Sequence, residues 1–277
     1  MGPVILCADD FGLAPGIDRA ILKLAETGRI SAVSCMTGGA SWRQNAPELG
    51  RMSDRLDVGL HMTFTEIPPL GPMPKLAATG TLPQIGEILR RALLRQLDCA
   101  EIRAEARRQI DTFCQYFGRP PDHIDGHQHV HCFPVIRAVT YELATEYGCY
   151  VRACTTPLTA IINGQTSKAK AAVINSMGCG FDAGLEAKKI PHNRRFFGLH
   201  DFNPAHDIRA MYAGWLQPAS DHALINCHPG EGMVPGDALA AWRMHEYDFL
   251  RSAGYTALLQ ETGTIITRFK PPVTPAD

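Results

Sequence analysis

The chain has 277 residues, of which 45% are hydrophobic and 20% are charged, as is ordinary for a globular protein with a sizeable core. A net charge of −1 argues against a nucleic-acid or anionic-membrane partner, because both select a surplus of Lys and Arg. Every apolar run is shorter than the roughly 18–20 residues of a membrane span, and the N-terminus lacks the pattern of a secretory signal, so we expect a cytoplasmic protein.

The first part of the chain alternates between strand and helix patterns. Residues 4–8 form an apolar run that predicts a buried strand. Apolar residues then recur at helical spacing over 17–24, and Gly28 suits the cap that ends such a helix. Further strands are predicted over 30–37 and 56–64, the latter with apolar residues alternating along one face.

The middle of the chain predicts two amphipathic helices, over residues 102–117 and 136–147. Each is followed directly by a glycine, Gly118 and Gly148. Between them, a short strand at 123–125 leads into a run of histidines. The remaining elements are predicted as strands over 149–154, 224–227 and 255–259 and a helix over 238–252.

Alternating strands and helices predict a mostly parallel sheet, and a closed or nearly closed barrel fits this length better than an open sheet. We assign residues 1–267 to a single α/β barrel domain. Within it, residues 155–220 hold turn residues and few long periodic runs, and could form an excursion over the active site. Residues 268–277 are predicted to form a loose, Pro-rich tail.

The nine cysteines are scattered and never spaced as C-x-x-C. Their odd number and irregular spacing argue against a disulfide framework. A structural zinc knuckle is disfavoured for the same reason. Most of them are expected to be small buried hydrophobes.

Polar groups lie at or near the ends of four predicted strands, and in parallel α/β folds such ends share one edge of the sheet. These groups are Asp9 with Asp10, His61, the cluster at residues 127–131, and His228. Their convergence predicts a functional site.

Asp9 and Asp10 are adjacent carboxylates behind an apolar strand, and burying both requires a cation or hydrogen-bond donors. A capped loop would explain them. Alternatively, one aspartate binds a metal ion and the other acts as a base. His61, within an apolar strand, is either a satisfied core residue or a second metal ligand.

The segment H-I-D-G-H-Q-H-V-H at 123–131 is the sharpest signal in the sequence. If it is extended, His127, His129 and His131 face one way, and if it is helical, His127 and His131 share a face. Either conformation lets two imidazoles converge, although a fortuitous surface cluster is an alternative. His228 precedes Pro229-Gly230 and would be a credible general acid beside a metal ion.

One carboxylate with two imidazoles leaves coordination positions open for water and substrate, as hydrolysis requires. The donors permit one divalent ion per chain, zinc or magnesium. The same donor set also occurs in iron oxygenases, and an oxygenase is therefore the alternative from another class.

Four blocks of this sequence resemble the signatures of YdjC/ChbG-type carbohydrate deacetylases, in the family's order. They are A-D-D-F-G-L at 8–13, G-L-H-M-T at 59–63, the histidine segment at 123–131, and H-P-G at 228–230. The resemblance implies a distorted, TIM-like (β/α) barrel related to the NodB-type polysaccharide deacetylases. It also implies a divalent metal ion and removal of an N-acetyl group from an amino sugar.

Carried over by position, the resemblance makes Asp10, His61 and His127 the metal ligands. It makes Asp9 the catalytic base and His228 the acid. The expected substrate is a small N-acetylated sugar, chitooligosaccharide-like, or an N-acetylglucosamine-bearing glycolipid. Rival functions are hydrolysis of another amide or ester on the same scaffold, and non-catalytic sugar or metal binding. A homodimer is left open.

Overall fold

A computed structural model describes residues 2–156, 168–216, 223–234 and 236–269 of the chain. Strands and helices alternate through these ranges. The strands are β1 (Pro3–Phe11), β2 (Ala32–Cys35), β3 (Asp57–Met62), β4 (His123–Gly126), β5 (Tyr150–Val151), β6 (Arg195–Phe197), β7 (Ala223–Cys227) and β8 (Ile265–Ile266). The α-helices are α1 (Pro15–Glu26), α2 (Trp42–Gly50), α3 (Ile85–Leu93), α4 (Cys99–Phe117), α5 (Ile136–Tyr147), α6 (Lys168–Ala187), α7 (Ile208–Leu216), α8 (Ala240–Leu250) and α9 (Ala253–Thr262), and a 3₁₀ helix spans His127–Cys132.

The strands form one parallel sheet in the order β5-β4-β3-β2-β1-β7-β6, and β8 pairs with the start of β1. The two ends of the sheet meet, because Val151 at the end of β5 forms a parallel bridge with His192, just ahead of β6. The Val151 N–H donates to the carbonyl oxygen of Pro191 at 2.9 Å. The predicted (β/α) barrel is therefore confirmed, in an irregular form with very short strands on one side.

The interior of the barrel is unusually polar. Buried side chains of six neighbouring segments meet there, and they are Cys7, Asp9, Ser34, His61, His123, Asp125, Arg152 and Asn226. Gly59 makes room for them, since a Cβ at this position would lie 2.3 Å from the His123 ring. The apolar core lies instead between the strands and the surrounding helices, for example where Trp42 of α2 packs against Phe11 of β1 and stacks on Phe113 of α4.

The strand predicted over 255–259 is wrong, because those residues belong to helix α9. The Ser252 side chain accepts the N–H of Tyr255 and caps the helix, while Tyr255 and Leu258 bury its inner face. A short apolar run does not distinguish a strand from one side of a buried helix. The last strand, β8, follows this helix at Ile265–Ile266.

The less legible stretch at 155–220 contains helices α6 and α7 and the barrel strand β6. Residues 157–167 and 217–220 of this stretch lie outside the described residues, and an excursion over the site stays a prediction. At the C-terminus, Arg268 pairs with Asp57 at 2.7 Å and Phe269 stacks on Tyr150, so packed chain continues into the predicted tail. Residues 270–277 lie outside the described residues. None of the described helices is long and apolar enough to cross a bilayer.

Candidate metal centre

The two adjacent aspartates lie at the end of β1, where the strand contains an extra residue. Ala8 pairs with Val33 and Phe11 pairs with Cys35, so three steps along β1 match two steps along β2. Asp10, inside this bulge, has a left-handed φ of 70°. A bulge redirects side chains at a strand end, and here it lets consecutive carboxylates face the same region.

Asp10, His61 and His127 converge, and their donor atoms lie within 4.8 Å of one another. The Oδ1 atom of Asp10 lies 3.4 Å from Nε2 of His61 and 2.9 Å from Nδ1 of His127. Donors that hold an ion at about 2.0–2.2 Å are separated by about 2.9–3.5 Å, depending on the coordination angle. The three side chains therefore fit a divalent ion.

Two of the donors, His61 and Asp10, are each oriented by a charged side chain on the side away from the other donors. The other ring nitrogen of His61 contacts Oδ1 of Asp125 at 2.6 Å, which fixes the ring with Nε2 toward Asp10. Arg243 donates to Oδ2 of Asp10 at 2.7 Å and leaves Oδ1 facing the histidines. The donors are thus oriented before any ion binds.

Asp9 lies beside this group but points into a different set of partners. Arg152 donates to both of its oxygens, at 2.5 and 2.8 Å, and also pairs with Asp125 at 2.5 Å. Asn226 donates to Oδ2 of Asp9 at 3.2 Å. Nε2 of His228 lies 3.7 Å from the same oxygen. The second carboxylate and another histidine therefore flank the group of three.

The buried aspartates are held in the ionised form. Burial raises the pKa of Asp9, but Arg152 more than offsets this and leaves the pKa below its usual range. Burial acts on Asp10 in the same direction, and there Arg243 and His127 hold the pKa well below its usual range. Both side chains are therefore carboxylates, able to accept a proton or a cation.

His61 shows how strongly negative the site is. Burial lowers its pKa, yet the carboxylates of Asp125, Asp9 and Asp10 raise it to about 10. Three buried aspartates face only two buried arginines in this cluster, so the third positive charge is either protonated His61 or, when His61 is neutral and acts as a ligand, a bound cation.

The histidine run divides into two groups. The segment is a 3₁₀ helix broken by left-handed residues, Gln128 with φ 52° and His129 with φ 61°. His127 therefore turns to Asp10, whereas His129 and His131 contact Cys154 at 3.6 and 3.4 Å. Of the alternatives that the sequence left open, neither a regular strand nor a regular helix is formed, and His127 is the member that joins the group.

Sequence reasoning missed Asp125, Arg152 and Arg243, which orient the donors and the second carboxylate. An arginine in the apolar stretch 149–154 was a usable signal, because a charge in a buried strand requires a partner. Arg243 comes from helix α8, far along the chain, and nothing in the sequence pattern connected it with Asp10.

Fold and site together define a parallel (β/α) barrel with a two-histidine, one-carboxylate donor set at the ends of its strands. The chain belongs to the YdjC-like protein family, because the model of that family matches residues 3–261. Over 54% of this chain and 58% of the relative, it is 37% identical to a chitooligosaccharide deacetylase of Serratia marcescens. A human carbohydrate deacetylase is 29% identical, over 94% of this chain and 88% of that protein.

One solved structure is similar over nearly the full length. It is described as a cellobiose-phosphate cleavage protein of Enterococcus faecalis V583 and has a TM-score of 0.76. The match covers 96% of this chain and 97% of that one at 19% identity. At this identity the similarity bears on the fold alone.

Proposed function

We propose that this chain is a metal-dependent hydrolase that removes the N-acetyl group from an amino-sugar substrate and releases acetate. The observation that carries the proposal is the arrangement of Asp9 and His228 on the flank of the donor group Asp10, His61 and His127. Mere binding of a metal or sugar requires neither a buried base nor an adjacent acid. Relatives that are named as chitooligosaccharide and carbohydrate deacetylases support the choice of bond.

The donors Asp10, His61 and His127 would hold one divalent ion. Two imidazoles favour zinc or a similar transition metal, and magnesium is the alternative. When bound, such an ion supplies a Lewis acid that polarises the acetyl carbonyl and makes water more acidic.

The protein's own groups then move the protons. Asp9 is ionised and is fixed by Arg152. It takes a proton from the attacking water while the water oxygen bonds to the acetyl carbon. The C–N bond breaks, and His228 donates a proton to the departing amine, which is otherwise a very poor leaving group. The products are acetate and the free amino sugar, so all atoms are accounted for.

Mass spectrometry of a substrate panel tests the proposal. The panel contains N-acetylated chitooligosaccharides of several lengths and an N-acetylglucosamine-bearing glycolipid. We expect each turnover to remove one acetyl group from the sugar and to release one acetate. The His127→Ala variant is the matched control and should be inactive. Cleavage of unrelated esters without loss of N-acetyl groups would replace the proposal with a different hydrolase. Oxygen consumption with a 2-oxo acid and no acetate would favour the oxygenase.

A further inference from the structure

A second group of metal-binding side chains lies outside the centre described above. His131, Cys132 and Cys154 are 0%, 1% and 0% exposed, and their donor atoms lie within 4.8 Å of one another. His131 and Cys132 end the 3₁₀ helix, and Cys154 follows strand β5. The proposed deacetylation uses none of them.

The distances in this group match those of a zinc site. Nε2 of His131 lies 3.4 Å from Sγ of Cys154 and 3.5 Å from Sγ of Cys132. Zinc bonds of about 2.3 Å to sulfur and about 2.0 Å to nitrogen place tetrahedral neighbours about 3.5 Å apart. Nδ1 of His129 lies 3.6 Å from Sγ of Cys154, which is close to the separation expected for two neighbouring ligands of a zinc ion.

We propose that His131, Cys132 and Cys154 bind a second Zn²⁺, and that His129, which contacts Cys154, moves toward the ion as the fourth donor. On binding, both thiols lose a proton to solvent and coordinate as thiolates, so two protons are released for each ion. Two sulfurs and two imidazoles form a closed tetrahedral set, which is typical of structural rather than catalytic zinc. The inference does not depend on the proposed activity.

Without an ion, hydrogen bonds satisfy only part of this group, because Nδ1 of His131 is buried without a partner among the described residues. Nε2 of His131 lies 3.0 Å from the carbonyl oxygen of Arg152 as well as near both sulfurs. Ion binding would replace the hydrogen bond between His131 and the Arg152 carbonyl oxygen with coordination bonds from all the donors.

The cluster is also enclosed by aromatic rings, with Phe196 beside His129 and Phe181 beside His131, so water competes poorly for the ion.

The position of the cluster gives the ion a structural role. It would link the end of the 3₁₀ helix, which directly follows the left-handed residues Gln128 and His129, to the chain after β5. His127, a donor of the first centre, directly precedes that pair. Zinc in the second cluster would therefore hold the turn that presents His127 to Asp10.

Cobalt substitution in the full chain distinguishes the two clusters. The protein is stripped with a chelator under reducing, anaerobic conditions and then titrated with Co²⁺. We expect two Co²⁺ per chain and a near-ultraviolet sulfur-to-cobalt charge-transfer band. Cys132→Ser and Cys154→Ser should each lose the band and one Co²⁺, whereas His127→Ala should lose the other Co²⁺ and keep the band. Cys227→Ser, a buried cysteine of strand β7, should keep both.

Alkylation of the wild-type chain provides a measurement that does not depend on the variants folding. With zinc bound, peptide mapping under mild denaturant should show Cys132 and Cys154 protected relative to the stripped protein, and exposed Cys99 and Cys179 unprotected. The proposal is overturned by a single Co²⁺ without a sulfur band, by a band that survives both serine variants, or by equal alkylation of Cys132 and Cys154 with and without zinc. A Cys132–Cys154 disulfide in the zinc-treated protein would contradict it as well.

Discussion

The two donor clusters both include residues of the 3₁₀ helix at His127–Cys132, yet they differ in the chemistry of their donors and in their exposure to solvent. Asp10, His61 and His127 offer oxygen and nitrogen, and the His127 side chain remains 13% exposed. His131, Cys132 and Cys154 offer nitrogen and sulfur and are closed off from solvent. The first set leaves room for water and a substrate, whereas the second has the character of a clamp.

The difference comes from the backbone rather than from the residue types. Gln128 and His129 adopt left-handed φ values, which rotate the end of the 3₁₀ helix away from its start. His127 consequently faces the end of β1, and His131 faces the chain after β5. Neighbouring histidines can therefore serve separate sites, and their density along a sequence does not show how many ions they bind.

Replacing a donor of the first cluster should have the largest effect. His61→Ala or His127→Ala should empty that centre and lower turnover by more than about 10⁴-fold, beyond what loss of a proton-transfer group alone costs. His131→Gln, the matched change in the second cluster, should leave the first ion bound. Metal analysis with circular dichroism checks both statements. Full occupancy of the first centre in His61→Ala and His127→Ala would remove these residues as ligands.

Variants of the two adjacent aspartates should show which one acts as the base and which one binds the metal ion. Asp9→Asn should keep the ion and lower turnover by about 10²–10⁴-fold, because the proton acceptor is lost. Asp10→Asn should release the ion. Kinetics and metal content are measured on the same preparations. Near-normal turnover in Asp9→Asn, or equal metal content in the two variants, would show that the roles are assigned wrongly.

His228 should matter most when the leaving group requires a proton. His228→Gln should slow hydrolysis of the N-acetyl amide by about 10²-fold, with the ion retained. The loss should be much smaller for an activated aryl acetate, whose leaving group departs without protonation. Comparing kcat/KM for both substrates in wild type and variant provides the readout. Equal losses on amide and ester would make His228 a packing residue.

Asp125 should act through His61 rather than on the substrate. Asp125→Asn keeps the shape but removes the charge behind the imidazole, and we expect metal affinity to fall by about 10–100-fold. Competition with a chromogenic chelator measures this affinity, and Asp111→Asn on the exposed face of α4 is the control. Rescue of turnover by excess metal is expected. Unchanged affinity in Asp125→Asn would refute the orienting role.

The smallest effect concerns Glu246, which accepts the backbone N–H of His228 and the hydroxyl of Tyr212. Burial raises its pKa from 4.5 to about 7. The folded state therefore holds this proton more tightly than the unfolded chain. The resulting stability is fully present below about pH 4.5 and is lost as the pH rises through about 7, by at most about 3 kcal/mol.

Glu246→Gln should remove that part of the pH dependence. Urea unfolding at about pH 5 and about pH 8 should show a smaller difference in the free energy of unfolding for the variant than for wild type. An identical pH dependence would mean that Glu246 titrates normally in the folded protein.

Several elements and residues could be predicted because their signal is local. The strands that carry Asp10 and His61 and helices α4 and α5 follow from apolar periodicity and glycine stops. The convergence of Asp10, His61 and the histidine segment follows from the rule that parallel strands share a carboxyl edge, and the family resemblance singled out His127 within that segment. The strand expected at 255–259 failed because a short apolar run is compatible with either structure.

By itself, the sequence determined the barrel class, the edge that carries the site and the residue types available there. Tertiary structure alone decided how the histidines divide, through two left-handed residues that no apolar pattern records. It also decided which charges lie behind the donors: Arg152 and Asp125 meet inside the barrel, and Arg243 approaches Asp10 from a helix 233 positions away. Hydrophobic periodicity is a property of neighbouring residues, whereas the pairing of buried charges depends on segments that become neighbours only when the barrel closes.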